Sequence, residues 1–114
     1  MSGITTHVLD TSSGRPASGV AVKLEVRMAD RGWVTLAERK TDDDGRARDL
    51  VADGSKLDAG TYRLTFATGA YFAARDVRTF FPEASVVFEV SDPAQHHHVP
   101  LLLSPFGYST YRGS

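Results

Sequence analysis

The chain contains no cysteine. Disulfide frameworks and thiolate metal sites are therefore outside its chemistry. An excess of charge of either sign is also missing, with 13 Lys and Arg against 14 Asp and Glu and a formal net charge of -1. That balance supplies no overall field to gather nucleic acid or an anionic membrane, so neither is expected as a partner. Long apolar runs are absent as well. Val99 to Leu103, the longest, falls far short of the about 20 residues a membrane helix needs. The opening MSGITTHVLD has neither the basic nor the apolar segment of a secretory leader, and Arg-Gly-Ser is not a peroxisomal address. The expectation is a soluble, cytoplasmic protein.

What is present is ordinary globular material. The 114 residues, 41% hydrophobic and 24% charged, predict one domain over 1–114 with a radius of gyration of about 13 Å. Period two dominates the pattern. Ile4 to Asp10 alternates Ile4, Thr6 and Val8 with Thr5, His7 and Leu9, as a strand with two distinct faces does. Asp10 to Gly19 reads as a loop. In Val20 to Met28 the residues Val20, Val22, Leu24, Val26 and Met28 face a core, while Lys23, Glu25 and Arg27 face water. Trp33 to Lys40 is a strand of blunter pattern.

Asp42-Asp43-Asp44-Gly45 is a turn, with Arg46 heading a short segment to Leu50. Asp53-Gly54 and Asp58-Ala59-Gly60 bracket a further loop, and Tyr62 to Phe66 is a strand. Thr68 to Asp76 is the one plausible helix. Val86 to Val90, His97 to Leu103 and Gly107 to Arg112 complete the strands. Seven or eight short strands at close spacing, with one short helix, predict an all-β antiparallel sandwich.

The stretch His96 to Ser114, HHHVPLLLSPFGYSTYRGS, reads as the floor of a site. Val99, Leu101 and Leu103 share one face, which must be the core, so His98, Pro100 and Leu102 point outward. His7 lies outward by the same reasoning. Two outward imidazoles and Tyr111 are odd on a sheet surface that ordinarily carries Lys, Glu and Thr. The ordinary alternative for each is a solvated side chain. His96 and His97 adjoin Asp92-Pro93, are expected in a loop, and are left outside the site.

A metal reading of the histidine run is weak. Neighbouring strand residues point to opposite faces, so only His96 and His98 converge and a third ligand is missing. The acidic run before Gly45 lacks the spaced ligands and closing Glu of a calcium loop. Without a nucleophile elbow or a thiol, what remains is imidazole, guanidinium and hydroxyl. That set suits moving protons and holding an anion.

Four stretches, THVLDTSSGRPASGV (Thr6 to Val20), TDDDGR (Thr41 to Arg46), FATGAYF (Phe66 to Phe72) and HVPLLLSPFGYSTYRGS (His98 to Ser114), resemble the 5-hydroxyisourate hydrolases. These are the transthyretin-like enzymes of purine breakdown. The terminal YRGS is the most specific motif, because it separates the hydrolases from the hormone-carrying transthyretins of the same fold. The resemblance implies a transthyretin-like Greek-key sandwich that assembles as a homotetramer. Outward faces would meet across a two-fold axis to form a channel with sites at its ends.

It further implies His7, Arg46, His98 and Ser114 as catalytic residues, with His7, Arg46 and Tyr111 binding substrate and no cofactor or metal required. The family's tyrosine between the two histidines is His97 here, and nothing is carried over for Ala47, Arg48 and Asp49. The implied reaction opens the lactam ring of 5-hydroxyisourate to give 2-oxo-4-hydroxy-4-carboxy-5-ureidoimidazoline. One histidine would take a proton from water and Arg46 would steady the oxyanion, with either histidine eligible as base. Urate oxidase and the ureidoimidazoline decarboxylase would be its pathway neighbours. The rivals are a transthyretin-type carrier without turnover and an adhesion sandwich.

Overall fold

The computed structural model describes residues 3–51 and 56–114. The expected Asp53-Gly54 turn lies outside them. Nine strands and one helix follow in order: β1 (Gly3–Asp10), β2 (Arg15–Pro16), β3 (Ala21–Met28), β4 (Gly32–Lys40), β5 (Arg46–Ala47), β6 (Gly60–Phe66), α1 (Thr68–Ala73), β7 (Ala84–Val90), β8 (His96–Ser104) and β9 (Gly107–Thr110). One sheet runs β2-β1-β8-β9, with β5 also pairing β1, and the other runs β4-β3-β6-β7. The radius of gyration is 13.9 Å.

The two sheets close over Val8, Leu24, Leu64, Phe66, Leu101 and Leu103, all buried. In the site-bearing sheet the alternation holds as expected. Ile4, Thr6, Val8 and Asp10 point inward on β1, as do Val99, Leu101 and Leu103 on β8, which leaves Thr5, His7, His98 and Leu102 on the outer face. Pairing is antiparallel throughout except between β1 and β8, which run parallel in unbroken register from Gly3↔His96 to Asp10↔Leu103.

Several expectations need correction. His96 and His97 are strand residues, not loop residues, because β1 pairs with β8 back to Gly3↔His96 and Ile4↔His97. Part of the Asp10 to Gly19 loop is β2, which folds back on the end of β1 through Leu9↔Pro16 and Asp10↔Arg15. The helix stops at Ala73, three residues before Asp76, which takes a positive φ of 57°.

Glu25 does not face water. A bulge between Leu24 and Glu25 interrupts the register with β4, and Glu25 is only 5% exposed. It accepts from Arg63 Nε at 2.8 Å, and the Arg63 guanidinium stacks 4.3 Å over the Trp33 ring. The extra residue is Leu36 on β4, and it breaks that strand's alternation and accounts for its blunt pattern. Glu25 keeps its place in unbroken register with β6 and is buried under Arg63 and Trp33. The final strand ends at Thr110 rather than Arg112. Pro100 has no N–H to donate at the position facing Tyr111, and its carbonyl is taken by Thr110 Oγ1 at 2.7 Å. The chain rejoins the sheet at Gly113, whose N–H donates to His98 O at 2.8 Å.

Helix α1 is tied to β1 through a buried pair. Tyr71 Oη donates to Asp10 Oδ2 at 2.9 Å, while Asp10 Oδ1 accepts from Ser12 N at 3.0 Å and Ser12 Oγ at 2.5 Å. Burial raises the Asp10 pKa, but the Ser12 and Tyr71 hydrogen bonds outweigh it and hold the carboxyl below its ordinary 3.8. Burial, reinforced by that carboxylate, pushes the Tyr71 phenol up to about 12. Removing the hydroxyl in Tyr71→Phe should therefore cost about 1.5–3 kcal/mol at neutral pH, the range for a hydrogen bond to a charged group. A depressed carboxyl stabilises the fold above its unfolded pKa and loses that contribution as pH falls through the folded value. Urea unfolding should accordingly show the gap between wild type and Tyr71→Phe narrowing below the ordinary carboxylate range.

Candidate active site

Three strands each supply a pair of residues two apart, and each pair shares the outer face. On β1 these are Thr5 and His7; on β8 they are His96 and His98. The third pair is Arg46 on β5 and Arg48 just beyond it. Strand register brings the pairs together. Thr5 stands opposite His98 and His7 opposite Arg46. A cavity of about 250 Å³ opens here, lined by Thr5, Thr6, Arg46, Arg48, His96, His98 and Ser114.

The turn before β5 aims Arg46. Asp42 Oδ1 accepts from both Asp44 N and Arg46 N at 2.9 Å, and these bonds, the Arg46 one foremost, hold its carboxyl below the ordinary value. Gly45 takes φ +77°, and its carbonyl accepts from Val8 N at 2.7 Å. A Cβ at Gly45 would run into the Val8 carbonyl oxygen, so only glycine lets the turn press this closely on β1. The other carboxylate oxygen of Asp42 lies 3.6 Å from Arg48.

His98 is the most tightly held group of the site. Its Nδ1 lies 2.7 Å from Thr5 Oγ1, and a Cβ at Gly113 would come within 2.6 Å of its Cδ2, so the glycine packs flat on the ring. Nε2 is the ring nitrogen that this contact leaves free. Burial first, then the charges of Arg46, His96 and His7, lower the His98 pKa below its ordinary 6.5. The imidazole is thus neutral at pH 7 and able to accept a proton.

The expected residues do not all meet. Arg46, His98 and Ser114 share the cavity lining. His7 stands beside it, across the strand pair from Arg46, near enough for its charge to act on His98. Tyr111 lies apart, 58% exposed and bordering a neighbouring groove with Val86, Phe88, His97 and Arg112. The interruption opposite Pro100 is what carries it away.

Thr5, His96 and Arg48 line the cavity without having been expected there. The signal for all three was available in the sequence, since each stands two residues from an expected site residue on a strand. His97, by contrast, is 5% exposed on the inner side, and its Nδ1 has no hydrogen-bond partner among the described residues. Burial, with the Arg112 charge second, lowers its pKa. His96 and His98 do converge, but no third His, Cys, Asp or Glu joins them among the described residues.

Comparison with known proteins places the chain in a lineage. The model of the HIUase/Transthyretin family matches residues 4–113. A 5-hydroxyisourate hydrolase of Caulobacter vibrioides is 52% identical over 119 aligned positions, covering all of both chains. The solved structure of Klebsiella pneumoniae 5-hydroxyisourate hydrolase superposes with a TM-score of 0.87 at 41% identity, again over all of both chains. Transthyretin from Sparus aurata superposes with a TM-score of 0.91 at 34% identity, over 99% of this chain and 97% of that one. The backbone alone does not separate hydrolase from transthyretin, but on sequence and fold together the chain belongs to the HIUase/transthyretin family.

Proposed function

We propose that this protein hydrolyses 5-hydroxyisourate in urate degradation, opening the six-membered ring to 2-oxo-4-hydroxy-4-carboxy-5-ureidoimidazoline. The observation that carries this reading is His98, held through Nδ1 by Thr5, beside Arg46 in one small cavity. Relatives bearing the hydrolase name, one of them matched over its whole length, support it.

His98 serves as general base, because Nδ1 is committed to Thr5 and Nε2 remains to take a proton from water. The water oxygen bonds to the ring carbonyl carbon as the carbonyl becomes an oxyanion. Arg46, with Arg48 behind it, holds the planar anionic ring and steadies that oxyanion. The C–N bond then breaks and the leaving nitrogen takes a proton, from His7 or back from His98. Ser114 holds the ring from the cavity rim. No metal or organic cofactor enters the scheme.

The working form is a homotetramer in the cytoplasm, between urate oxidase and the ureidoimidazoline decarboxylase. Support comes from exposed Phe80 and Phe106, each 72% accessible in the single chain. Exposed apolar surface of this kind marks an interface. A second copy on the outer face would close the site, and exposed Tyr111 is placed to take part.

Urate oxidase acting on urate generates the substrate in place. Its ultraviolet absorbance should decay faster with this protein present, with the ureidoimidazoline as product, and decay at the spontaneous rate would leave a carrier as the better reading. Two variants test the mechanism within that assay. Gly113→Ala, which drives a methyl into the His98 ring, should lower kcat about 10²-fold with little change in Tm, since small misplacements cost that much. Arg46→Met should cost on the order of 10²-fold or more in kcat/KM through loss of oxyanion stabilisation. Because the Arg46 charge helps depress His98, its removal should also move the acid limb of the pH profile to higher pH. An unmoved limb would mean that His98 is not the base.

A further inference from the structure

Thr5 Oγ1 stands between two imidazoles, 2.7 Å from His98 Nδ1 and 2.9 Å from His96 Nε2, with the rings 6.2 Å apart and 29° from parallel. The hydroxyl is buried and carries a single proton. It can therefore donate to only one ring nitrogen, and the other must donate to it. Two arrangements satisfy all three groups. In the first, His98 Nδ1–H donates to Thr5 and Thr5 donates to His96 Nε2, leaving His98 Nε2 as a free lone pair. In the second every donor reverses, and His98 Nε2 carries a proton. The first is competent to remove a proton from water and the second is not.

From this geometry we infer that His96 is a positioning residue and proton reservoir for His98, acting through the Thr5 hydroxyl. The inference rests on the hydrolase reading, in which His98 Nε2 takes the proton of water. As that proton arrives, His98 Nδ1–H passes to Thr5 Oγ1 and the Thr5 proton passes to His96 Nε2. The protons balance, with one lost by water and one gained by His96. The positive charge then rests on a half-buried ring at the cavity rim. The charged and titratable groups facing this chain are His7 from β1, Arg46 and Arg48 from the β5 segment, and His97 with Arg112 behind it on the inner side. Arg46, His96 and His7 disfavour a charge left on His98, and on the inner side Arg112 acts in the same sense on His97, opposed by Asp92.

The test combines nitrogen-15 NMR of the histidine rings with turnover. In the wild type His98 should be the Nδ1–H tautomer. Thr5→Val should mix the His98 tautomers and lower kcat about tenfold or more with KM little changed, in line with losses when an imidazole's orienting partner is removed. Thr5→Ser, which restores the hydroxyl, should restore both tautomer and rate. His96→Phe keeps a ring in place without its nitrogens. It should lower kcat by a similar factor while shifting the acid limb to higher pH, because the His96 charge no longer opposes protonation of His98. A His98 tautomer unchanged in Thr5→Val, or wild-type kcat in His96→Phe, would overturn the inference. So would failure of Thr5→Ser to rescue, which marks a packing role. A wild type that does not turn over 5-hydroxyisourate would sink the hydrolase reading instead, and the NMR arm would still report the hydrogen-bond order.

Discussion

The parallel pairing of β1 with β8 is the constraint on which the site depends. It joins segments about ninety residues apart and runs without a bulge from Gly3↔His96 to Asp10↔Leu103. A slip of one residue would turn His98 inward and Val99 outward, destroying site and core together. Inward Ile4 and Val8 against Val99, Leu101 and Leu103 resist that slip. So do the Thr6 hydroxyl, which donates to Val99 O at 2.6 Å, and Thr11, whose N–H donates to Leu103 O at 2.8 Å. Because Arg46 is carried by β5 on the other edge of β1, its distance from His98 is fixed by the same central strand.

That geometry concentrates positive groups in a chain that is nearly neutral overall. Arg46, Arg48, His96 and His98 line one cavity with His7 beside it, while the Asp42 carboxylate accepts from backbone N–H groups and lies against Arg48. Two consequences follow from the same field. In the proposed reaction an anionic ring would be drawn in, and a proton kept off His98 until substrate charge offsets Arg46. Recognition and basicity would then be one electrostatic arrangement, and a change to Arg46 would alter both.

Much of this was legible in the sequence because a strand's side chains obey period two. The outward placement of His7 and His98 followed from the inward placement of Val8 and Val99, whereas Arg46, by its residues alone a solvated turn arginine, entered the site only through the resemblance to the family. The same rule applied to Thr5, Arg48 and His96, but proximity to Asp92-Pro93 suggested a loop and hid the pairing of His96. Other features are set by contacts far apart in the chain and leave no local mark. The burial of Glu25 depends on Arg63 and Trp33 of the neighbouring strands, the exit of Tyr111 on a missing N–H at Pro100, and the parallel sense of β1 and β8 on the whole topology.

Period two also explains how one backbone serves two kinds of protein. Inward residues specify the sandwich, and outward residues specify what happens on its surface, so the two sets can change separately. A transthyretin at 34% identity thus superposes as well as a hydrolase at 41%. The distinction has to be sought in side chains that add nothing to the core. In the proposed reading Thr5, His96 and His98 carry it: a buried hydroxyl shared by two imidazoles lies on the outer face, apart from the residues that close the sandwich.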